Sequence, residues 1–536
     1  MTFITTAPDA TFRTVALLIR EHAQHQPHRP ALEDDQHVLT YAQLDTLMDR
    51  TAAALQRDGV QPGESIAICA QSSVHYAALF LGALRAGVVV APLAPSAGRE
   101  SLASMLHDAG AKWLFLDLAA QDLLPTTWPA SHCIWLDADA PGIRFDDWLA
   151  AGGAQPKAVN LTPEAPFNII YSSGTTGTPK GIVQSHGMRW AHVQRGSAYG
   201  YRPESRTLLA TPLYSNTTLV VFFPTLGFGG CVQLMPKFDA LRYLELATQH
   251  RVTHTMLVPV QYQRIMALPQ FGTHDLSAFE FKFCTSAPFS AALKADVLAR
   301  WPGGLVEFYG MTEGGGTCIL LAHAHPDKLH TVGQPAATSD MRLIDEEGHE
   351  LPSGAVGEVV GHSPGMMTGY HRQPELTRDA EWFDAEGKRF IRTGDVGRFD
   401  SEGFLTLLDR RKDMIISGGF NIYPSDLEAE LRKHPAVEDV AVTGVPSEQW
   451  GETPVAFVRA RHDASGEAAH IMAWYNARAG KTQRLMALHL IDELPRNAIG
   501  KVLKRELRQL HLKISSGLET PILQTQGEIS GQCSRY

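Results

Sequence analysis

The sequence predicts an α/β protein: a large N-terminal domain of stacked mixed and parallel sheets with helices, a β-rich subdomain behind it, and a small α+β domain at the C-terminus. Three observations carry this. From residue 65 onward, short, fully apolar runs alternate with helix-like stretches, the pattern of parallel strands covered on both faces. Past Thr331 the texture changes to strands joined by tight polar turns, which read as antiparallel hairpins. Beyond the charged cluster Asp409-Arg410-Arg411-Lys412-Asp413, a shorter mixed segment runs to residue 510.

In chain order, 65–69 (SIAIC) reads as a strand, 76–85 as a helix, and 87–91 (GVVVA) as a strand. A helix over 102–109 and a strand over 113–117 complete the first group. The rhythm resumes with apolar strands at 167–171, 208–210, 231–234, 254–258 and 281–284. Then 341–345, a Glu346-Glu347-Gly348 turn and 357–360 form a hairpin. The 536 residues suffice for roughly three to four domain-sized units.

Composition narrows the function classes. Apolar residues make up 44% and charged residues 19%, which is ordinary globular usage and argues against disorder or coiled coil. The net charge of −10 gives no support to a nucleic-acid footprint. Six scattered cysteines without a CxxC pair point to a reducing compartment rather than a disulfide frame or zinc ribbon. Met1 to Ala10 has no signal-peptide pattern, and the longest apolar run, 86–95, is too short to span a membrane. The expectation is a cytoplasmic protein with no transmembrane segment.

The chemistry begins at Tyr171-Ser172-Ser173-Gly174-Thr175-Thr176-Gly177-Thr178-Pro179-Lys180-Gly181, which follows an apolar strand and precedes a helix-like stretch near His186. Its glycines let the backbone approach an anion closely. Ser172, Ser173, Thr175 and Thr176 donate hydrogen bonds, and Lys180 adds a positive charge. That is the inventory a polyphosphate needs. It is not a Walker loop, because Pro179 stands where the second glycine of GxxxxGK[ST] belongs. A ligand-free Ser/Thr/Gly turn is the plainer alternative, and the density of these residues over eleven positions argues against it.

The loop resembles the signature of the acyl-adenylate-forming (AMP-binding) superfamily, in its acyl-CoA synthetase and 4-coumarate–CoA ligase-like branch. Tyr309-Gly310-Met311-Thr312-Glu313 resembles a second signature, and Arg392-Thr393-Gly394-Asp395 a ribose-binding motif. Residues 409–413 resemble the interdomain hinge, 417–424 (SGGFNIYP) the loop after it, and 494–501 (LPRNAIGK) the catalytic-lysine motif. The resemblance implies an N-terminal domain over 1–409, a hinge over 410–413 and a mobile C-terminal domain over 414–536.

It also implies a reaction. A carboxylate is a poor acyl donor; attack on the α-phosphate of ATP makes an acyl-adenylate, which a thiol then captures. The first transition state gathers charge on phosphate oxygens, so cations and oriented donors are needed. By resemblance, Lys501 bridges the carboxylate and α-phosphate, Thr312 contacts the α-phosphate, and Glu313 holds Mg²⁺, a hard cation suited to oxygen ligands. Asp395 accepts from the ribose hydroxyls, and Arg410 adds a contact to ribose or phosphate. Ser286-Ala287-Pro288 stands where relatives have Gly-Ala-Pro beside adenine, with Tyr309 stacked on the ring. Lys412 occupies the pivot, and Gly418 and Gly419 line the pantetheine tunnel of coenzyme A. A carboxylic acid, ATP and CoA are thus the expected small-molecule partners; a second copy of the chain is the protein partner left open.

Other signals were set aside. Gly361-His362-Ser363-Pro364-Gly365 fits GxSxG, but proline after the serine has no N–H for an oxyanion hole. The histidines at 323, 325 and 330, and those at 22, 25 and 28, lack metal-motif spacing and read as solvated. No GxGxxG occurs.

For the acid, Pro212-Leu213-Tyr214-Ser215-Asn216 stands where relatives carry Pro-Leu-Phe-His, with Ser215 replacing a gating histidine. Tyr214, Ser215, Asn216 and Met311 are expected to face the acid. Gly314 and Gly315 lack side chains that would shorten its pocket. No Arg or Lys stands among these positions to pair a second carboxylate. The expected substrate is an aromatic or medium- to long-chain apolar monocarboxylic acid, and the acceptor CoA. The alternative is a stand-alone adenylating enzyme that loads the acid onto a carrier protein.

Overall fold

The structure is a computed structural model, and it describes residues 11–173, 179–417, 420–461, 468–497 and 500–516. It divides into two compact units. The first comprises residues 1–393 and 399–406, the second 394–398 and 407–536. The strand Leu405–Arg410 pairs with the long strand Arg389–Phe399, so one end of this ladder, with Asp395 on it, belongs to the second unit.

Two large sheets organise the first unit. The nine-stranded sheet has six adjacent parallel strands: Gly304–Gly310, Phe281–Cys284, His254–Leu257, Arg206–Leu209, Cys231–Leu234 and Pro30–Glu33. Antiparallel strands flank them on both sides. The eight-stranded sheet also has a parallel core, running from Pro166–Ser173 through Val89–Leu93, Ser65–Cys69, Leu114–Leu116 and Cys133–Trp135 to Ile143–Arg144. The apolar runs make these strands because both of their faces are buried. The strand expected over 87–91 lies two residues later, at Val89–Leu93, because Gly87 takes a left-handed φ of 71° that ends the preceding helix.

The helix Val74–Arg85 shows how the sheets share one core. Ten of its twelve residues are buried, so it has no solvent face and packs between other elements. Its side chains join a cluster containing Ile66 and Val90 of one sheet and Leu209 and Val232 of the other. At Gly82 an added Cβ would lie 2.5 Å from Thr51 Cβ on the helix Tyr41–Arg57. That close approach is open only to glycine.

The expected hairpin is present: Asp340–Ile344 pairs antiparallel with Gly357–His362. In the second unit, Val437–Ser447 and Gly451–Ala460 form a long antiparallel pair. Ala487–Leu490 adds parallel to it, and the helices Pro424–Leu431, Ala468–Asn476 and Lys504–Ser515 accompany the sheet. No described helix is long and apolar enough to cross a membrane.

Candidate active site

The hydroxyl-rich segment is the tip of a hairpin. Pro166–Ser173 pairs antiparallel with Pro179–Ser185, with Ser172 opposite Lys180 and Tyr171 opposite Gly181. The helix expected near His186 begins there, and a seven-residue strand that the sequence reading did not mark precedes it. Ile182 and Val183 favour the strand, being β-branched. The helix His186–Arg195 begins only after Ser185, whose hydroxyl accepts from the Met188 N–H at 3.2 Å. Gly174, Thr175, Thr176 and Gly177 lie outside the described residues, as does the side chain of Ser173.

Lys180 emerges from this hairpin with its Nζ 5.4 Å from the centre of the Tyr370 ring, a cation–π distance. Tyr370 sits on the short strand Gly369–Tyr370, which pairs with the same hairpin at Ile182 and Val183. The Tyr370 hydroxyl donates to Glu313 Oε1 at 2.8 Å. Nearby, the Met367 N–H donates to the Glu313 carbonyl at 2.8 Å. Three segments far apart in sequence thereby hold a cation and a carboxylate on either side of one tyrosine.

Glu313 closes the turn that carries Thr312 and Met311. The strand Gly304–Gly310, ending in half-buried Tyr309 and exposed Gly310, leads into it, and the chain returns as the antiparallel strand Thr317–Leu321. A buried glutamine links this turn to Asn216. The Gln184 side-chain amide donates to the Thr312 carbonyl at 2.8 Å and to Asn216 Oδ1 at 3.4 Å. Its own oxygen accepts from Arg189. Arg189 is wholly buried, with its guanidinium near the rings of Phe167 and Phe223, and burial pulls it down to about 9. Ser215 caps the helix Asn216–Gly227, and Tyr214 before it is half-buried.

One sequence expectation changes here. Gly314 and Gly315 do not leave open space. A Cβ on Gly314 would collide with the Gly365 carbonyl; one on Gly315 would lie 2.5 Å from Ile391 Cβ and 3.1 Å from the Gly361 carbonyl. Their lack of side chains is required by packing against the β-rich subdomain. Met311 likewise packs against buried Ile182, Met367 and Ile391. Ser286 stands where relatives have glycine. Its φ is 81°, a left-handed conformation that glycine adopts freely and serine does not. A hydrogen bond of 2.6 Å between the Ser286 and Thr217 hydroxyls accompanies it. Ala287 and Pro288 follow in the same loop after the strand Phe281–Cys284.

The second unit carries its own polar cluster. Arg410 Nε lies 3.1 Å from Asp395 Oδ1. Residues 410–413 form a hydrogen-bonded turn: the Asp413 and Met414 N–H groups donate to the Arg410 carbonyl, and the Arg411 N–H to the Gly394 carbonyl. Lys501 sits at the end of a second turn, where the Gly500 N–H donates to the Asn497 carbonyl and the Lys501 N–H to Asn497 Oδ1. Gly500, at φ 76°, permits that reversal. Arg496 braces it, donating to the Gly500 carbonyl at 2.6 Å and to Asp439 at 2.7 Å. Burial, then the charges of Arg410 and Lys412, lower the Lys501 amine to about 8, against the opposing pull of Asp395 and Asp413. Gly418 and Gly419 lie outside the described residues.

Sequence reasoning missed Gln184, Arg189 and Tyr370. The first two read as ordinary strand and helix polar residues. Tyr370 had one local signal, a Gly-Tyr pair before a turn, and nothing to connect it with Glu313.

The chain matches two family models. Residues 19–371 match the AMP-binding enzyme family, and 426–501 match the C-terminal domain of AMP-binding enzymes. A feruloyl-CoA synthase from Amycolatopsis sp is 34% identical over 499 residues, covering 91% of this chain and 97% of that protein. An indoleacetate–CoA ligase from Aromatoleum aromaticum is 32% identical, covering 92% and 97%. Among solved structures, ATP-bound MatB from Rhodopseudomonas palustris superposes with a TM-score of 0.84 at 28% identity, over 94% of this chain and all of that one.

Proposed function

The chain belongs to the AMP-binding enzyme family, in its acyl-CoA ligase branch, and from that premise we propose that it activates a carboxylic acid with ATP and passes the acyl group to CoA. The carboxylate oxygen attacks the α-phosphorus, the bond to pyrophosphate breaks, and a mixed anhydride with AMP results. The CoA thiolate then attacks the acyl carbon and AMP leaves. The observation that carries this reading is the charge content around Lys501: three cations, Lys501, Arg410 and Lys412, against two carboxylates, Asp395 and Asp413. A local surplus of positive charge suits a polyanionic ligand.

Each residue takes a role from its chemistry. Lys501 neutralises charge on the α-phosphate, Thr312 offers it a hydroxyl, and Asp395 accepts from the ribose with Arg410 beside it. Lys180 and the hydroxyls of Ser172 and its neighbours serve the outer phosphates. Glu313 fits a hard divalent cation. Its carboxylate is half-buried, one oxygen accepts from Tyr370, and the other makes no hydrogen bond among the described residues. Magnesium bound there with ATP would neutralise phosphate charge. The hydrogen-bonded turn at 410–413 serves as the hinge between the two half-reactions.

The acid is an aromatic or apolar monocarboxylate. Relatives named for ferulic and indoleacetic acids support the aromatic class. Arg189, which Gln184 links to Asn216, is wholly buried and engaged by that glutamine, so it offers nothing to a second carboxylate. ATP–pyrophosphate exchange across a panel of aromatic, fatty and dicarboxylic acids tests the first step. Thioester formation with CoA and with a phosphopantetheinylated carrier protein tests the second. Exchange with aromatic acids and product with CoA is expected. Product with the carrier alone would replace the acceptor, and no exchange with any acid would overturn the reading.

A further inference from the structure

Two oppositely charged groups that both serve ATP face a common hazard: they can neutralise each other before the substrate arrives. In the first unit Lys180 and Glu313 are separated by Tyr370. The ring seats the lysine, with Nζ 5.4 Å from its centre, and the hydroxyl holds the carboxylate at 2.8 Å. Among the described residues Lys180 makes no ion pair. The tyrosine is itself fixed. Its backbone pairs with Ile182 on the strand that carries Lys180, and its N–H donates to Thr377 Oγ1 at 2.9 Å. The Met367 N–H, three residues earlier, holds the Glu313 carbonyl.

We propose that Tyr370 is a positioning residue for the adenylation step, its hydroxyl aiming the Glu313 carboxylate at the divalent cation and its ring holding Lys180 for phosphate. The inference rests on the ATP-dependent reading above. It extends that reading by assigning the spacing of the two charges to a side chain outside every motif of the sequence. Hydrogen bonds to a metal-binding carboxylate typically alter metal affinity by ~10- to 100-fold when removed. The loss of the ring is a separate effect, because cation–π attraction depends on the π face and not on the hydroxyl.

The two halves come apart in two variants. Tyr370→Phe keeps the ring and loses the hydroxyl; Tyr370→Leu loses both. Mn²⁺ binding in the presence of a non-reacting ATP analogue, followed by electron paramagnetic resonance, reads the carboxylate. Binding of the same analogue without metal reads Lys180. Tyr370→Phe is expected to weaken Mn²⁺ binding by ~10- to 100-fold, in line with such effects elsewhere, and to leave metal-free analogue binding as in wild type. Tyr370→Leu is expected to weaken both. Thermal unfolding of each variant identifies a folding failure, and Lys180→Met then supplies the second arm by lowering metal-free analogue binding alone. Wild-type Mn²⁺ affinity in Tyr370→Phe would overturn the assignment, as would a parallel loss of both affinities in that variant. A wild-type protein that binds neither analogue nor Mn²⁺ would overturn the adenylation reading itself, and this inference with it.

Discussion

The corner around Glu313 and the corner around Lys501 hold their charged groups by different means. In the first unit, position comes from fit: Gly314 and Gly315 sit where no side chain can go, Ser286 takes a left-handed backbone, and one neutral hydroxyl donates to the Glu313 carboxylate. In the second unit, charges hold charges. Arg410 rests on Asp395, and Lys501 is poised between like and unlike neighbours. The first arrangement is intolerant of added volume. The second responds to protonation at Lys501.

That contrast can be broken from either side. The largest expected effect is on the Lys501 side. Removing one positioned cation at a phosphoryl centre should cost ~10²- to 10³-fold in rate, by analogy with deleted oxyanion donors. Lys501→Ala should therefore abolish most ATP–pyrophosphate exchange. It should leave conversion of supplied acyl-adenylate to acyl-CoA near wild type. Equal losses in both assays would remove the assignment of Lys501 to one half-reaction.

The pH dependence is the next effect in size. A lysine lowered to about 8 is charged below that pH and loses its proton above it. The kcat/KM for ATP in the exchange reaction should therefore fall as pH rises through about 8, by ~tenfold per unit at the alkaline limit, since this parameter reports groups of the free enzyme. An ordinary lysine would hold the rate constant to about 10. In Lys501→Arg, whose guanidinium does not titrate in this range, whatever exchange remains should show no alkaline fall. A fall that survives that substitution would place the titrating group elsewhere.

On the steric side, Gly315→Ala is expected to destabilise the first unit by ~1–3 kcal/mol, the usual cost of overpacking. The exchange activity should drop alike for every acid in the panel. A selective shift towards smaller acids would mean that the side chain enters the acid pocket after all, against its contacts with Ile391 and Gly361. Denaturant midpoints and the acid profile, measured together, decide this.

The smallest effect separates backbone from side chain at Ser286. Ser286→Ala loses the hydroxyl bond to Thr217 and keeps the left-handed backbone; Ser286→Gly loses the same bond and relieves the backbone. The glycine variant should be the more stable of the two by ~1–2 kcal/mol, the cost of a left-handed L-residue. Equal stabilities would show that φ at this position relaxes without cost.

Much of this protein was legible because its chemistry is written in short segments. The hydroxyl-rich loop, the turn ending in Glu313 and the turn ending in Lys501 each collect their residues within about a dozen positions. The parallel sheets announce themselves through local hydrophobicity, which a strand buried on both faces cannot avoid. The strand between the loop and the helix at His186 went unread because one apolar pair, Ile182-Val183, is too short a pattern to mark it.

What the sequence by itself determined was the inventory: an α/β chain with a hydroxyl-rich loop, the Arg392–Asp395 segment, the charged cluster 409–413 and the Pro495–Lys501 segment, in order. The tertiary structure decided how those residues are held. Glu313 meets Tyr370 across 57 positions and Thr312 meets Gln184 across 128, and no local pattern encodes such pairings. Nor does it encode the direction in which a missing glycine side chain would point, or how far burial lowers an amine. Each of these depends on which distant segments fold against one another, because close packing and desolvation are properties of neighbours in space.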